Sequence, residues 1–132
     1  MESPSDQIES DLRILVVDDL APARRIVRGL LQRLGLRNVR DAASVSEALS
    51  SLQQEAADLI ITDINLKDGN GIDLVRQLRA DPTYAELPVI VITADPDREH
   101  VIEGAKQGVR GFLLKPFDAS RLREKIYAAI NG

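Results

Sequence analysis

The chain has 132 residues, a formal net charge of −4, 44% hydrophobic residues and no cysteine, which suits one ordinary domain burying about two thirds of its unfolded surface. The lack of thiols excludes a disulfide framework, a thiolate nucleophile and a zinc–thiolate cluster, in keeping with a reducing cytoplasm. Interspersed charges disfavour nucleic-acid binding, and neither a membrane-length apolar stretch nor a secretory signal is present, so proteins or small ligands are the expected partners.

Residues 1–11, acidic and polar, are expected to form a flexible tail ahead of a single domain over 12–132. The run Ile14-Leu15-Val16-Val17 is short and β-branched, the pattern of a strand buried on both faces of a parallel sheet. From Ala21, the spacing of Ile26, Val27, Leu30, Leu31 and Leu34 predicts one apolar helix stripe stopped by Gly35. Gly29 inside that stripe costs about 1 kcal/mol relative to alanine, and close packing is its expected reason. Val39 to Asp41 marks a short strand, and Ser44-Val45-Ser46-Glu47 reads as a capping box opening a helix through Leu52.

Leu59-Ile60-Ile61 is the third strand. The helix from Ile72 to Ala80 halts before Asp81-Pro82, because a residue ahead of proline avoids helical geometry. Val89-Ile90-Val91-Ile92 is the fourth strand, followed by a helix from near Pro96 to Gly108 with Val101, Ile102 and Ala105 inward. The last pair is Phe112-Leu113-Leu114 and a helix from Ala119 to Ile130. Leu122, Ile126, Ala129 and Ile130 share one face of it, behind an Asp118 cap.

Five strands alternating with five helices require right-handed crossovers and a parallel sheet. The predicted fold class is α/β, a (βα)5 flavodoxin-like doubly wound sheet of strand order 2-1-3-4-5. That order suits a chain this short better than a six-stranded dinucleotide-binding sheet. Its ligands bind outside the carboxyl ends of the strands, at the switch point between the first and third. Asp18, Asp19, Asp63, Thr93 and Lys115 each stand where an apolar run ends, so they converge on that crevice.

Three convergent carboxylates cannot all stay ionised without a cation or a proton, and a small, open, oxygen-rich site suits Mg²⁺. Phosphoryl transfer requires an in-line nucleophile, a divalent ion and donors for the developing charge. Asp63 can attack as carboxylates do in aspartyl-phosphate formation. Asp18 and Asp19 can hold the ion, Lys115 can neutralise a phosphoryl oxygen, and the Thr93 hydroxyl can donate to another. Taken singly, each has a plainer role as helix cap, turn residue, strand residue or solubilising charge. Their joint placement at four strand ends is what points to phosphate chemistry.

Leu15-Val16-Val17-Asp18-Asp19, Asp63, Thr93-Ala94 and Lys115-Pro116-Phe117, in this order and at these separations, resemble the receiver domain of two-component response regulators from about residue 12 onward. Arg24-Arg25-Ile26-Val27-Arg28, Leu34-Gly35 and Asn38-Val39 make the chain similar to the stand-alone chemotaxis-type regulators. The resemblance implies Asp63 as phosphoacceptor, Asp19 as a direct Mg²⁺ ligand, Asp18 as a ligand through water and the backbone carbonyl of Asn65 as a further ligand. It also implies that Lys115 pairs with the carboxylate and later the phosphoryl group, and that the Lys115-Pro116 bond is cis. Thr93 would be the switch hydroxyl and Phe112 the switch aromatic, turning inward as Thr93 moves.

The implied readout is the face of the fourth helix, fifth strand and fifth helix, with Pro96, Val101, Lys106, Phe112 and Lys125 as candidate contacts. Such a protein is a signalling switch rather than an enzyme acting on others, catalysing only its own phosphorylation and dephosphorylation. It takes phosphate from a sensor histidine kinase or a histidine phosphotransfer protein. With about fifteen residues after Lys-Pro-Phe, no output domain is expected, so the signal passes to a separate target protein such as the flagellar switch.

The chain departs from the family at Lys67, where proline is common and its loss is expected to loosen the loop. Asn65 and Asp95 occupy positions that tune phosphoryl lifetime, and His100 is expected to be an ordinary surface residue. Two other roles share the fold: a phosphorelay intermediate or adaptor in another pathway, and a phosphate-independent interaction module. A haloacid-dehalogenase-type phosphatase would want a second aspartate where Asn65 stands, and a flavodoxin would want a Ser/Thr-rich loop where Asp18-Asp19 stands.

Overall fold

A computed structural model describes residues 8–95 and 98–132, with 98–100 as backbone alone. In chain order the elements are β1 (Ile14–Val17), α1 (Ala21–Arg33), β2 (Val39–Ala42), α2 (Val45–Gln54) and β3 (Leu59–Asp63). A small ribbon of β4 (Asn65–Leu66) and β5 (Gly69–Asn70) follows, then α3 (Gly71–Arg79) and a single 3-10 turn (Pro82–Tyr84). The chain finishes with β6 (Val89–Thr93), α4 (Arg98–Lys106), β7 (Gly111–Leu114) and α5 (Ala119–Asn131). The main sheet is parallel throughout and ordered β2-β1-β3-β6-β7, which is the predicted 2-1-3-4-5.

Alternation along each strand divides the core into two layers, as a sheet covered on both faces requires. Leu15, Val17, Ile60, Val89 and Val91 face one way and pack with Leu52 of α2 and with Leu74, Val75 and Leu78 of α3. Ile14, Val16, Ile61, Ile90, Ile92 and Leu113 face the other and pack with Val27 and Leu31 of α1 and Leu122, Ile126 and Ala129 of α5. Leu12 and Ile8 lean on this second layer, and the Leu12 amide donates to the Glu9 carbonyl at 3.2 Å. Residues 1–7 of the expected tail lie outside the described residues. No described helix is long and apolar enough to cross a membrane.

Several local expectations are corrected. Ile26 is 64% exposed, because the buried arc of α1 is narrower than its apolar stripe and centres on Val27 and Leu31. Gly29 is not closely packed, since a Cβ there would meet nothing within 4 Å. In α4, Ile102 and Ala105 point outward and Gly104 inward. A Cβ on Gly104 would lie 2.5 Å from Cζ of Phe112, so the ring fills the space that an inward side chain would need. The edge strands β2 and β7 are only partly buried, with Leu114 at 51% exposure.

Both helix stops read from glycine hold, as Gly35 and Gly108 have φ of 81° and 80°. At the start of α2, Ser44 Oγ accepts the Glu47 amide at 3.1 Å, but the Glu47 carboxylate accepts from Ala43 rather than from Ser44. The reciprocal capping box occurs instead at Asn70 and Asp73, opening α3.

Candidate functional site

Parallel register brings the strand ends together. Val17 pairs with Thr62 and Asp63 with Ile92, so Asp18 emerges beside Asp63. Thr93 pairs with Leu114, so Lys115 leaves the sheet next to Thr93, and its amide donates to the Thr93 carbonyl at 2.9 Å. Asp18, Asp63 and Thr93 are buried, while Asp19 is half-buried. One carboxylate oxygen from each of Asp18, Asp19 and Asp63 lies within 4.8 Å of the others.

The Asp63 carboxylate is held from two sides. Its Oδ1 accepts the Ile64 amide at 2.9 Å, and its Oδ2 lies 3.5 Å from Nζ of Lys115. The Lys115-Pro116 peptide bond is cis. Burial raises the Asp18 carboxyl above its ordinary value. The Leu20 amide opposes that rise at 2.9 Å, while nearby Asp63 and Asp19 add to it. Asp18 and Asp19 do not cap α1, whose N-cap is Leu20. One lysine among three carboxylates leaves an excess of negative charge and a set of hard oxygen donors, the chemistry that a small divalent cation satisfies.

Thr93 lies at the same edge, but its hydroxyl donates to the Asp95 carbonyl at 2.8 Å and accepts the Asp95 amide at 3.1 Å. Phe112 is partly buried, packed against the first core layer beneath Gly104. The inward ring and the Thr93–Asp95 pairing therefore coexist. Of the other expected contacts, Val101 and Lys125 are half-buried and Lys106 is exposed, on α4 and α5. Pro96 and the His100 side chain lie outside the described residues. Ile102 and Leu114, 45% and 51% exposed, lie on the same elements and were not among the expected contacts.

Asn65 sits in the β4–β5 ribbon rather than in a loose loop. The ribbon folds back so closely that a Cβ on Gly71 would stand 2.7 Å from the Asp63 carbonyl oxygen, and only glycine fits. Two supports of the site escaped sequence reasoning. Arg24 donates from Nη1 to the Asp18 carbonyl at 2.6 Å and from Nε to Asp41 at 3.0 Å, tying β1, β2 and α1 together. Asp68 bonds to the start of α2. Neither pairing has a local sequence signal, because the partners meet only through the fold.

Beside the acidic cluster lies a groove of about 260 Å³. Ala23, Ile26, Val27, Pro116 and Phe117 form its apolar wall, with Asp18 and Lys115 at its polar end.

The response regulator receiver domain model matches residues 14–127. The chain is 42% identical over 119 residues to chemotaxis protein CheY-3 of Vibrio cholerae serotype O1, covering 90% of this chain and 92% of that protein. It is 41% identical over 124 residues to chemotaxis protein CheY of Pseudomonas aeruginosa, covering 92% and 100%. Among solved structures, it matches the Vibrio cholerae chemotaxis protein CheY4 with a TM-score of 0.84 at 31% identity, over 90% of this chain and 98% of that one. A putative response regulator from Chloroflexus aurantiacus gives a TM-score of 0.86 at 29% identity, over 92% and 99%. By sequence, fold and the placement of its strand-end residues, the chain belongs to the response regulator receiver domain family and is similar to its CheY chemotaxis members.

Proposed function

We propose that this chain is a phosphorylation switch that accepts a phosphoryl group on Asp63 in a Mg²⁺-dependent reaction and signals through altered protein binding. The observation that carries the reading is the cluster of Asp18, Asp19 and Asp63 within 4.8 Å at the switch point of the sheet, with Lys115 3.5 Å from Asp63. Asp18, Asp19, Asp63 and the Asn65 carbonyl would hold Mg²⁺. When bound, the ion offsets negative charge on the carboxylates and on the phosphoryl oxygens.

An Asp63 carboxylate oxygen forms the new P–O bond while the donor's bond to phosphorus breaks, its electron pair leaving with the donor group. Lys115 supplies a positive charge to the transferred group. Thr93 donates to it once its hydroxyl leaves Asp95. The added dianion rewards that exchange, and the result is a shift between two arrangements of the strand end at Thr93–Asp95 and its described neighbours.

The phosphodonor is a sensor histidine kinase or a histidine phosphotransfer protein. Its approach is supported by the apolar groove of Ala23, Ile26, Pro116 and Phe117, which opens beside Asp18 and Lys115. The output face comprises α4, β7 and α5, and the similarity to CheY proteins favours a chemotaxis target such as the flagellar switch. The chain acts on itself alone and works in the cytoplasm, where Mg²⁺ and phosphodonors are at hand. Fluorine NMR with beryllofluoride tests the site. The expected result is a protein-bound fluoride signal that requires Mg²⁺ and disappears in Asp63→Asn, and a signal indifferent to either would refute it.

A further inference from the structure

The turn Leu66-Lys67-Asp68-Gly69 joins β4 to β5. Lys67 stands at its first central position, where proline would preset the backbone. The restraint comes instead from the next side chain. Asp68 Oδ1 accepts the Val45 amide at 2.8 Å, and Oδ2 accepts the Ser46 amide at 3.1 Å. These are the first two amides of α2, which have no partner within the helix, and a carboxylate suits that end of a helix dipole. The two backbone bonds hold the Asp68 carboxyl below its ordinary value.

The other end of the loop is fixed as well. The Gly71 amide donates to the Ile64 carbonyl at 2.8 Å, Asn70 and Asp73 form the reciprocal cap of α3, and the Ile64 amide holds Oδ1 of Asp63. A continuous path of hydrogen bonds and a short ribbon thus links the first turn of α2 to the Asp63 carboxylate. The loop expected to be loose at Lys67 is clamped.

We propose that Asp68 is a positioning residue for the cation site, pinning the 65–70 ribbon to α2 so that the backbone following Asp63 keeps the arrangement Mg²⁺ needs. This rests on the reading of Asp18, Asp19 and Asp63 as the Mg²⁺ site. The coupling is reciprocal: Mg²⁺ binding perturbs the Val45 and Ser46 amides, and loss of the clamp weakens Mg²⁺ binding.

Amide NMR with Mg²⁺ alone as titrant tests it on the full chain. In the wild type, the Val45 and Ser46 signals are expected to move with the same half-saturation as those of Ile64 and Asn65. Asp68→Ala is expected to raise the Mg²⁺ dissociation constant at least fivefold, and Asp68→Asn, which keeps one acceptor oxygen and is the gentler change, by less. Ser44→Ala removes the other cap of α2 without touching the ribbon. It is expected to leave Mg²⁺ affinity unchanged, which separates positioning from a general weakening of the helix. Unaltered affinity in both Asp68 variants, or equal losses in Ser44→Ala and Asp68→Ala, would overturn the proposal. A wild-type protein that binds no Mg²⁺ at all would instead overturn the reading of the site itself.

Discussion

The Thr93 hydroxyl spends its proton on the Asp95 carbonyl, 2.8 Å away and two residues further along the chain. To donate to a phosphoryl group on Asp63 it must release that carbonyl. On the proposed mechanism, the local turn at Thr93-Ala94-Asp95 would be the latch that phosphorylation opens. Thr93→Val keeps the β-branched shape and removes the hydroxyl, and is expected to cost about 1 kcal/mol of stability. Beryllofluoride should then shift the Asp95 amide signal in the wild type and leave it nearly still in Thr93→Val. Equal shifts in both proteins would mean that the latch is elsewhere.

Asp18 carries the cost of burying a carboxylate beside two others. Burial and its carboxylate neighbours raise its folded-state pKa above the ordinary 3.8, so the folded protein holds the proton more tightly than the unfolded chain. Stability falls as pH rises from 3.8 through the raised value, then stays down. Asn at this position can still accept the Leu20 amide but carries no charge. In chelator at pH 7, Asp18→Asn is expected to melt above the wild type, with the gap closing below the ordinary Asp value. Mg²⁺ should raise the wild-type melting temperature more than that of the variant. Thermal melts across pH, with and without Mg²⁺, check both statements.

The Phe112 ring occupies the volume under Gly104, where an added Cβ would sit 2.5 Å from Cζ of the ring and 3.1 Å from Cδ1 of Ile72. Gly104→Ala is expected to displace the ring and to destabilise by about 1–3 kcal/mol despite the better helix propensity of alanine. A smaller side chain in the double variant Gly104→Ala/Phe112→Leu should recover part of the loss. A double-mutant cycle in denaturant measures the coupling, and additive effects would show that the ring and α4 are independent.

Gly29 is the opposite case. It lies inside α1 with open space around its Cα, so Gly29→Ala is expected to stabilise by about 0.4–1 kcal/mol, chiefly by restricting the unfolded chain. Denaturant unfolding should show a raised midpoint at an unchanged slope.

The sheet was legible because its strands are dense apolar runs whose ends carry the chemistry, and parallel connectivity alone forces Asp18, Asp63, Thr93 and Lys115 onto one edge. Helix orientation was less legible. Periodicity assigns Ile26 and Ile102 to apolar stripes, but the buried arc depends on what the helix meets. In α4 that is the Phe112 ring, which makes a glycine the inward residue. The β4–β5 ribbon spans four paired residues without strand-like composition, and the Arg24–Asp41 and Asp68–Val45 bonds join residues 17 and 23 positions apart. Those side-chain partners exist only once the sheet has brought their elements together.

Intact-protein mass after incubation with acetyl phosphate measures most directly whether Asp63 is an Mg²⁺-dependent phosphoacceptor. One added phosphoryl group is predicted in the wild type with Mg²⁺, and none in chelator or in Asp63→Asn. A wild-type mass that stays unchanged under conditions that phosphorylate a receiver domain of known activity would contradict it, as would an adduct that persists in Asp63→Asn.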